Sequence, residues 1–99
     1  MDKAVLYEID EGVAIIKLNR PDRYNAVNQD LVDEISQSLD RAKNDQSIRA
    51  IIITGSGKGF CAGADMTVFG AEVTPEQRRN YIINQYQPLM HQFFELNKP

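Results

Sequence analysis

The eighteen residues 50–67, AIIITGSGKGFCAGADMT, constrain this chain more than any other stretch. Ala50, Ile51, Ile52, Ile53 and Thr54 form a short apolar, β-branched run that predicts a buried strand stopping at Gly55. Regular structure cannot continue beyond it, because Gly55, Gly57, Gly59 and Gly63 interrupt the following nine residues. Between and after them stand Phe60, Cys61, Ala62, Ala64 and Asp65, mostly small side chains that leave backbone N–H groups uncovered. Bare amides at the end of a strand suit an oxyanion or a phosphate.

The segments before the run predict how it enters a sheet. Val5–Ile9 and Val13–Leu18 flank the turn tripeptide Asp10-Glu11-Gly12, which predicts a hairpin. Pro21 ends the second strand, since proline donates nothing to a ladder and restricts Arg20 before it. Asn28 is a good N-cap with Asp30 in the first turn. Leu31, Val32, Ile35, Leu39 and Ala42 then recur at helical spacing, predicting a helix from about Gln29 to Asn44. The order β-β-α-β with short links implies a right-handed crossover back to the sheet. Further on, Thr74-Pro75-Glu76-Gln77 has the form of a capping box with proline at the first helical position. Ile82, Tyr86, Leu89, Phe93 and Leu96 follow on one face, which Tyr81, Ile83, Met90 and Phe94 are expected to widen.

Taken together, Asn19-Arg20-Pro21-Asp22-Arg23-Tyr24-Asn25-Ala26 after the second strand and Gly59-Phe60-Cys61-Ala62-Gly63-Ala64-Asp65 after the third resemble the N-terminal part of the enoyl-CoA hydratase/isomerase (crotonase) family. The resemblance covers almost the whole chain, with strands, NRPxxxNA turn, helix, apolar strand and AGAD loop in the family's order. It implies an α/β fold, the N-terminal β-β-α spiral part of a crotonase-like (ClpP/crotonase) domain. Residues 1–99 then make one N-terminal portion of a domain more than twice as long, and the chain reads as truncated.

The family's chemistry stabilises the enolate of a coenzyme A thioester. Negative charge develops on the thioester oxygen, so preorganised donors favour the transition state over the neutral carbonyl. By resemblance, the Ala64 amide is one of two oxyanion donors, while the second donor and the acid/base glutamates lie further downstream. Arg23 and Ala26, with Ala62, Gly63, Ala64, Asp65, Met66 and Thr67, are implied as contacts to the acyl-CoA, Arg23 being the candidate phosphate partner. Many members carry a cation where Thr67 stands, and threonine supplies none. Coenzyme A enters as part of the substrate, with no separate cofactor, and a homo-trimer or hexamer is implied for the full-length protein. Hydration or double-bond isomerisation of an enoyl-CoA is the implied reaction; the residues that choose between them are absent here.

The same residues admit other readings. Gly55-x-Gly57-x-Gly59 after a strand resembles a dinucleotide fingerprint, but Phe60 occupies the sixth position and no helical pattern opens there. A non-catalytic crotonase-fold protein that uses this surface for assembly is a third reading. Glu72, Glu76 and Asp65 are carboxylates near the loop, more simply solvated groups than general bases, and Asp65 is expected to hold the loop by bonding nearby amides. Cys61 has no histidine near it in sequence, and His91 lies off the apolar stripe of the last helix; both are expected to be structural. No residues have metal-ligand spacing. A net charge of −3 gives no general attraction to nucleic acid or anionic membrane, and no apolar run is long enough to span a bilayer. The first residues do not form a signal sequence, and a single cysteine fits a reducing compartment, so a cytoplasmic setting is expected.

Overall fold

A computed structural model of the chain describes residues 3–65 and 73–99. Strand β1 (Val5–Asp10) and strand β2 (Val13–Leu18) form an antiparallel hairpin around Glu11 and Gly12, both at positive φ. A short 3-10 turn at Pro21–Arg23 leads into helix α1 (Gln29–Asn44). Strand β3 (Ala50–Gly55) returns parallel to β2, giving the sheet order β1-β2-β3. Helix α2 (Pro75–Phe94) closes the described structure.

The helix ends follow from their capping chemistry. Asn28 accepts the Leu31 N–H at 2.9 Å. Thr74 and Gln77 exchange hydrogen bonds of 3.0 and 3.1 Å in the expected capping box. At the far end of α1, Lys98 donates to the carbonyls of Ala42 and Asp45, both at 2.8 Å, putting a cation where the helix dipole is negative.

Sheet register decides which side is covered. Val5, Tyr7, Ile16, Leu18, Ile51 and Ile53 face α1, whose Leu31, Val32, Ile35 and Leu39 complete the core with Leu89 of α2. On the opposite side Leu6 and Ile52 are exposed, Ile52 to 49%. The Ala50 run is thus an edge strand open on one face and not the fully buried strand its composition predicts. Its apolar side chains alternate between a covered and an uncovered face, although the isoleucine run carries no period-2 signal.

Helix α2 also departs from its predicted pattern. Leu89 is buried, but Ile83, Met90 and Phe94 point outward, Phe94 being 87% exposed, so the face is narrower than expected. The seam with α1 is partly polar. Gln85 donates to Gln29 Oε1 at 2.7 Å, and Gln92 donates to the Ser36 carbonyl at 2.8 Å and to Asp40 at 2.9 Å. The Cα radius of gyration is 14.5 Å, against roughly 13 Å for a compact chain of this length.

Candidate functional site

Two loops that leave the same edge of the sheet are laced together. The first, residues 19–27, follows β2. The second, residues 56–65, follows β3, the neighbouring parallel strand, so both begin side by side. Their backbones then pair: Ala62 N–H donates to the Tyr24 carbonyl at 3.0 Å, Val27 N–H to the Gly63 carbonyl at 2.7 Å, and Asp65 N–H to the Val27 carbonyl at 2.8 Å.

The last two bonds make a single parallel bridge between Val27 and Ala64. In such a bridge one residue bonds the neighbours of its partner, so the partner's own N–H points to the opposite side. Ala64 is that partner. Its N–H therefore turns away from Val27, and among the described residues no backbone hydrogen bond takes it up. Gly63 makes this path possible with φ +103°, where any other residue would be strained.

Asn25 fastens the base of the pair. Its side chain is fully buried, accepts the Arg20 N–H at 2.7 Å, and donates to the carbonyls of Ser56 and Gly59, each at 3.0 Å. Asparagine is suited on two counts: it offers one acceptor and two donors on one amide, and it tolerates its φ of +57° better than most residues. Ser56 adds a link, donating through its hydroxyl to the Leu18 carbonyl at 2.8 Å.

Arg20 fastens the top. One arm of its guanidinium bonds the Ala26 carbonyl, and the other stands 3.0 Å from Asp65, with Asp65 only 8% and Arg20 18% exposed. Asp65 therefore holds the loop partly through an ion pair, where bonds to nearby amides are expected from the sequence. Arg20 and Asn25 join the site through contacts that their sequence neighbourhood does not announce. Their signal was present in the NRPxxxNA pattern, but nothing local to it names a partner forty residues away.

The remaining predicted residues fall as follows. Ala26, Ala62, Gly63, Ala64 and Asp65 are brought together by this lacing. Arg23 is exposed at the end of the 3-10 turn, on the first loop. Met66, Thr67 and Glu72 lie outside the described residues. Cys61 packs against the core near Tyr86, whose hydroxyl is pushed above the ordinary phenol range chiefly by burial and secondarily by Cys61 and Tyr81. His91 is exposed on α2. No helix opens between Gly55 and Asp65, so the glycines do not lead directly into the helix N-terminus that a dinucleotide fingerprint needs. Among the described residues no group of three or more His, Cys, Asp or Glu could hold a metal ion, and no helix is long and apolar enough to cross a membrane. Two open grooves, of about 390 and 430 Å³, lie between α1 and α2 and beside β1, and neither is lined by the paired loops.

The chain as a whole has counterparts among known proteins. The profile of the enoyl-CoA hydratase/isomerase family matches residues 8–99. The chain is 44% identical over 69 residues to the probable enoyl-CoA hydratase EchA14 of Mycobacterium tuberculosis, covering 70% of this chain and 27% of that protein. It is 32% identical over 101 residues to the 1,2-epoxyphenylacetyl-CoA isomerase of Escherichia coli, covering all of this chain and 38% of that protein. A crystal structure of an enoyl-CoA hydratase from Mycobacterium smegmatis superposes with a TM-score of 0.86 at 29% identity, over 99% of this chain and 38% of that one. The chain thus spans well under half the length of these relatives, and its α/β architecture is part of the crotonase fold they share. It belongs to the enoyl-CoA hydratase/isomerase family.

Proposed function

We propose that these residues form the N-terminal part of an acyl-CoA site in which the Ala64 N–H hydrogen-bonds the thioester oxygen as it becomes an enolate. The observation that carries this reading is the Val27–Ala64 bridge, which spends the bonds of Gly63 and Asp65 on Val27 and leaves the Ala64 donor turned outward. A donor fixed in advance costs no reorganisation when charge develops, and removing one such donor costs roughly 10²- to 10³-fold in rate. Only the amide acts; the methyl group matters by being small.

In this reading the nucleotide end of coenzyme A lies along the first loop, with Arg23 toward a phosphate and Ala26, Ala62, Gly63, Asp65, Met66 and Thr67 completing the contacts. Arg23 suits the role because it is exposed and positively charged on the loop that faces the Ala64 segment. The substrate is an enoyl-CoA, and the reaction is its hydration or isomerisation. No further cofactor is needed, because the thioester supplies the electron sink. The full-length enzyme works in the cytoplasm as a trimer or hexamer. The 99 residues alone hold one such donor, and the loop carboxylate Asp65 is tied to Arg20, so they do not hydrate crotonyl-CoA.

The test is binding of acetoacetyl-CoA, whose 1,3-dicarbonyl readily forms an enolate, to the chain and to Ala64→Pro and Ala64→Gly. Ala64→Gly keeps the N–H and should keep the affinity; Ala64→Pro removes it and should weaken binding about tenfold or more. Equal affinities for folded Ala64→Pro and the parent would remove Ala64 from the oxyanion hole.

A further inference from the structure

Arg20 lies two residues beyond β2 and touches both halves of the bridge that presents Ala64. Its backbone is clamped in both directions by Asn25, which receives the Arg20 N–H at 2.7 Å and donates its own N–H to the Arg20 carbonyl at 2.8 Å. From that fixed base the guanidinium forks. Nη1 donates to the carbonyl of Ala26, the residue before Val27, and Nη2 meets Asp65 Oδ2 at 3.0 Å, the residue after Ala64. One planar group therefore spans the two sides of the only bridge described outside the three-stranded sheet. Asp65, at 8% exposure, is shielded enough that its pairing with Arg20 fixes geometry as well as balancing charge.

We propose that Arg20 is a positioning residue for the Ala64 amide, acting through Asp65 and Ala26. This rests on the oxyanion reading of Ala64 given above. Ala64 carries no polar side chain that could anchor its peptide, and Gly63 before it imposes little restriction, so its direction depends on what holds the flanking residues. Val27 supplies two backbone bonds, and Arg20 supplies the cross-brace. A lysine in place of Arg20 keeps the charge but cannot fork, because an ammonium is a point donor without the planar two-arm geometry. Loss of the brace leaves the N–H present but less well aimed, and a shift on the order of 1 Å at such a donor lowers enolate stabilisation steeply.

The experiment compares binding of acetoacetyl-CoA and butyryl-CoA to the 99-residue chain, to Arg20→Lys, to Arg20→Gln, and to the exchanged pair Arg20→Asp/Asp65→Arg. Butyryl-CoA reports the nucleotide contacts, and the enolate absorbance of bound acetoacetyl-CoA reports the donor. Arg20→Gln should lower the ratio of acetoacetyl-CoA to butyryl-CoA affinity about tenfold, and the apparent pKa of bound acetoacetyl-CoA should rise by about one unit, the same factor in another form. Arg20→Lys should lie between, and the exchanged pair should recover part of the ratio. If Arg20→Gln does not fold, Arg20→Lys decides: a ratio equal to the parent's in folded Arg20→Lys overturns the proposal. Should the parent itself show no preference for the enolate, the oxyanion reading fails and this inference with it. A clear preference in the parent that all folded variants share overturns only the role of Arg20.

Discussion

Gly55 and Asn25 are in contact that leaves no room for a side chain: a Cβ on Gly55 would stand 2.8 Å from Asn25 Nδ2, 2.6 Å from the Phe60 carbonyl and 2.9 Å from the Gly59 carbonyl. The last residue of β3 is glycine because the amide that ties the two loops passes against it. Gly55→Ala should therefore cost about 1–3 kcal/mol, the range for an added methyl in a packed site that must shift backbone. Chemical denaturation checks this, with Gly59→Ala as the control, since a Cβ there meets only Tyr24 Cδ1 at 4.0 Å.

Asn25→Asp should be worse tolerated near neutral pH than in mild acid. A carboxylate in that position would face the Ser56 and Gly59 carbonyls with no donor, whereas its protonated form can donate one bond. The introduced acid is thus raised in the folded state, and the stability it contributes is present at low pH and lost as pH rises through that folded pKa. Thermal melts at pH 4 and pH 7 should show a larger deficit relative to the parent at pH 7.

Tyr7 carries a buried hydroxyl with no hydrogen-bond partner among the described residues, beneath the guanidinium of Arg41 at 4.1 Å from the ring centroid. Burial pushes its pKa above the ordinary phenol value, with Arg41 opposing and Asp45 adding to the rise. A raised acid favours the protonated fold, so this stability is complete below the unfolded value of about 10 and is lost as pH climbs through the folded one. Tyr7→Phe should be within about 1 kcal/mol of the parent at pH 7, since the hydroxyl makes no bond to lose. It should also unfold less readily than the parent above pH ~10. Melting curves between pH 7 and 11 measure both effects.

Pro88 stands inside α2 and cannot donate to the Asn84 carbonyl one turn earlier. The ring is exposed along the open groove between α1 and α2, where alanine would fit. Pro88→Ala should restore the helix ladder and raise stability by about 1 kcal/mol or more, below the ~3 kcal/mol penalty of proline in an ideal helix interior because the native helix already accommodates it. Urea denaturation tests it, and an unchanged midpoint would show the accommodation to be complete.

The sequence was most legible where the signal is local. The Asn28 cap, the Thr74–Gln77 box, the extent of α1 and the hairpin each rest on residues a few positions apart, and each is found. The AGAD loop stands out only together with the NRPxxxNA turn, as a family resemblance and not as a local signal. What could not be read was the partnership across thirty to forty-five residues: that Asn25 bonds Ser56 and Gly59, and that Arg20 pairs with Asp65. Those contacts depend on parallel pairing of β2 with β3, which brings two loops together only after the sheet exists. Exposure of Ile52 and of the outer face of α2 was equally hidden, since apolar residues mark burial without saying against what.

The most direct measurement is the amide proton shift of a ¹⁵N-labelled Ala64 during titration with acetoacetyl-CoA, with coenzyme A alone as the reference. If the bridge to Val27 presents that N–H to an enolate oxygen, the Ala64 proton moves downfield with acetoacetyl-CoA, further than the amide of Asp65, which already bonds the Val27 carbonyl, and stays near its starting position with coenzyme A. An Ala64 amide that both ligands leave unmoved, or move alike, would contradict the account.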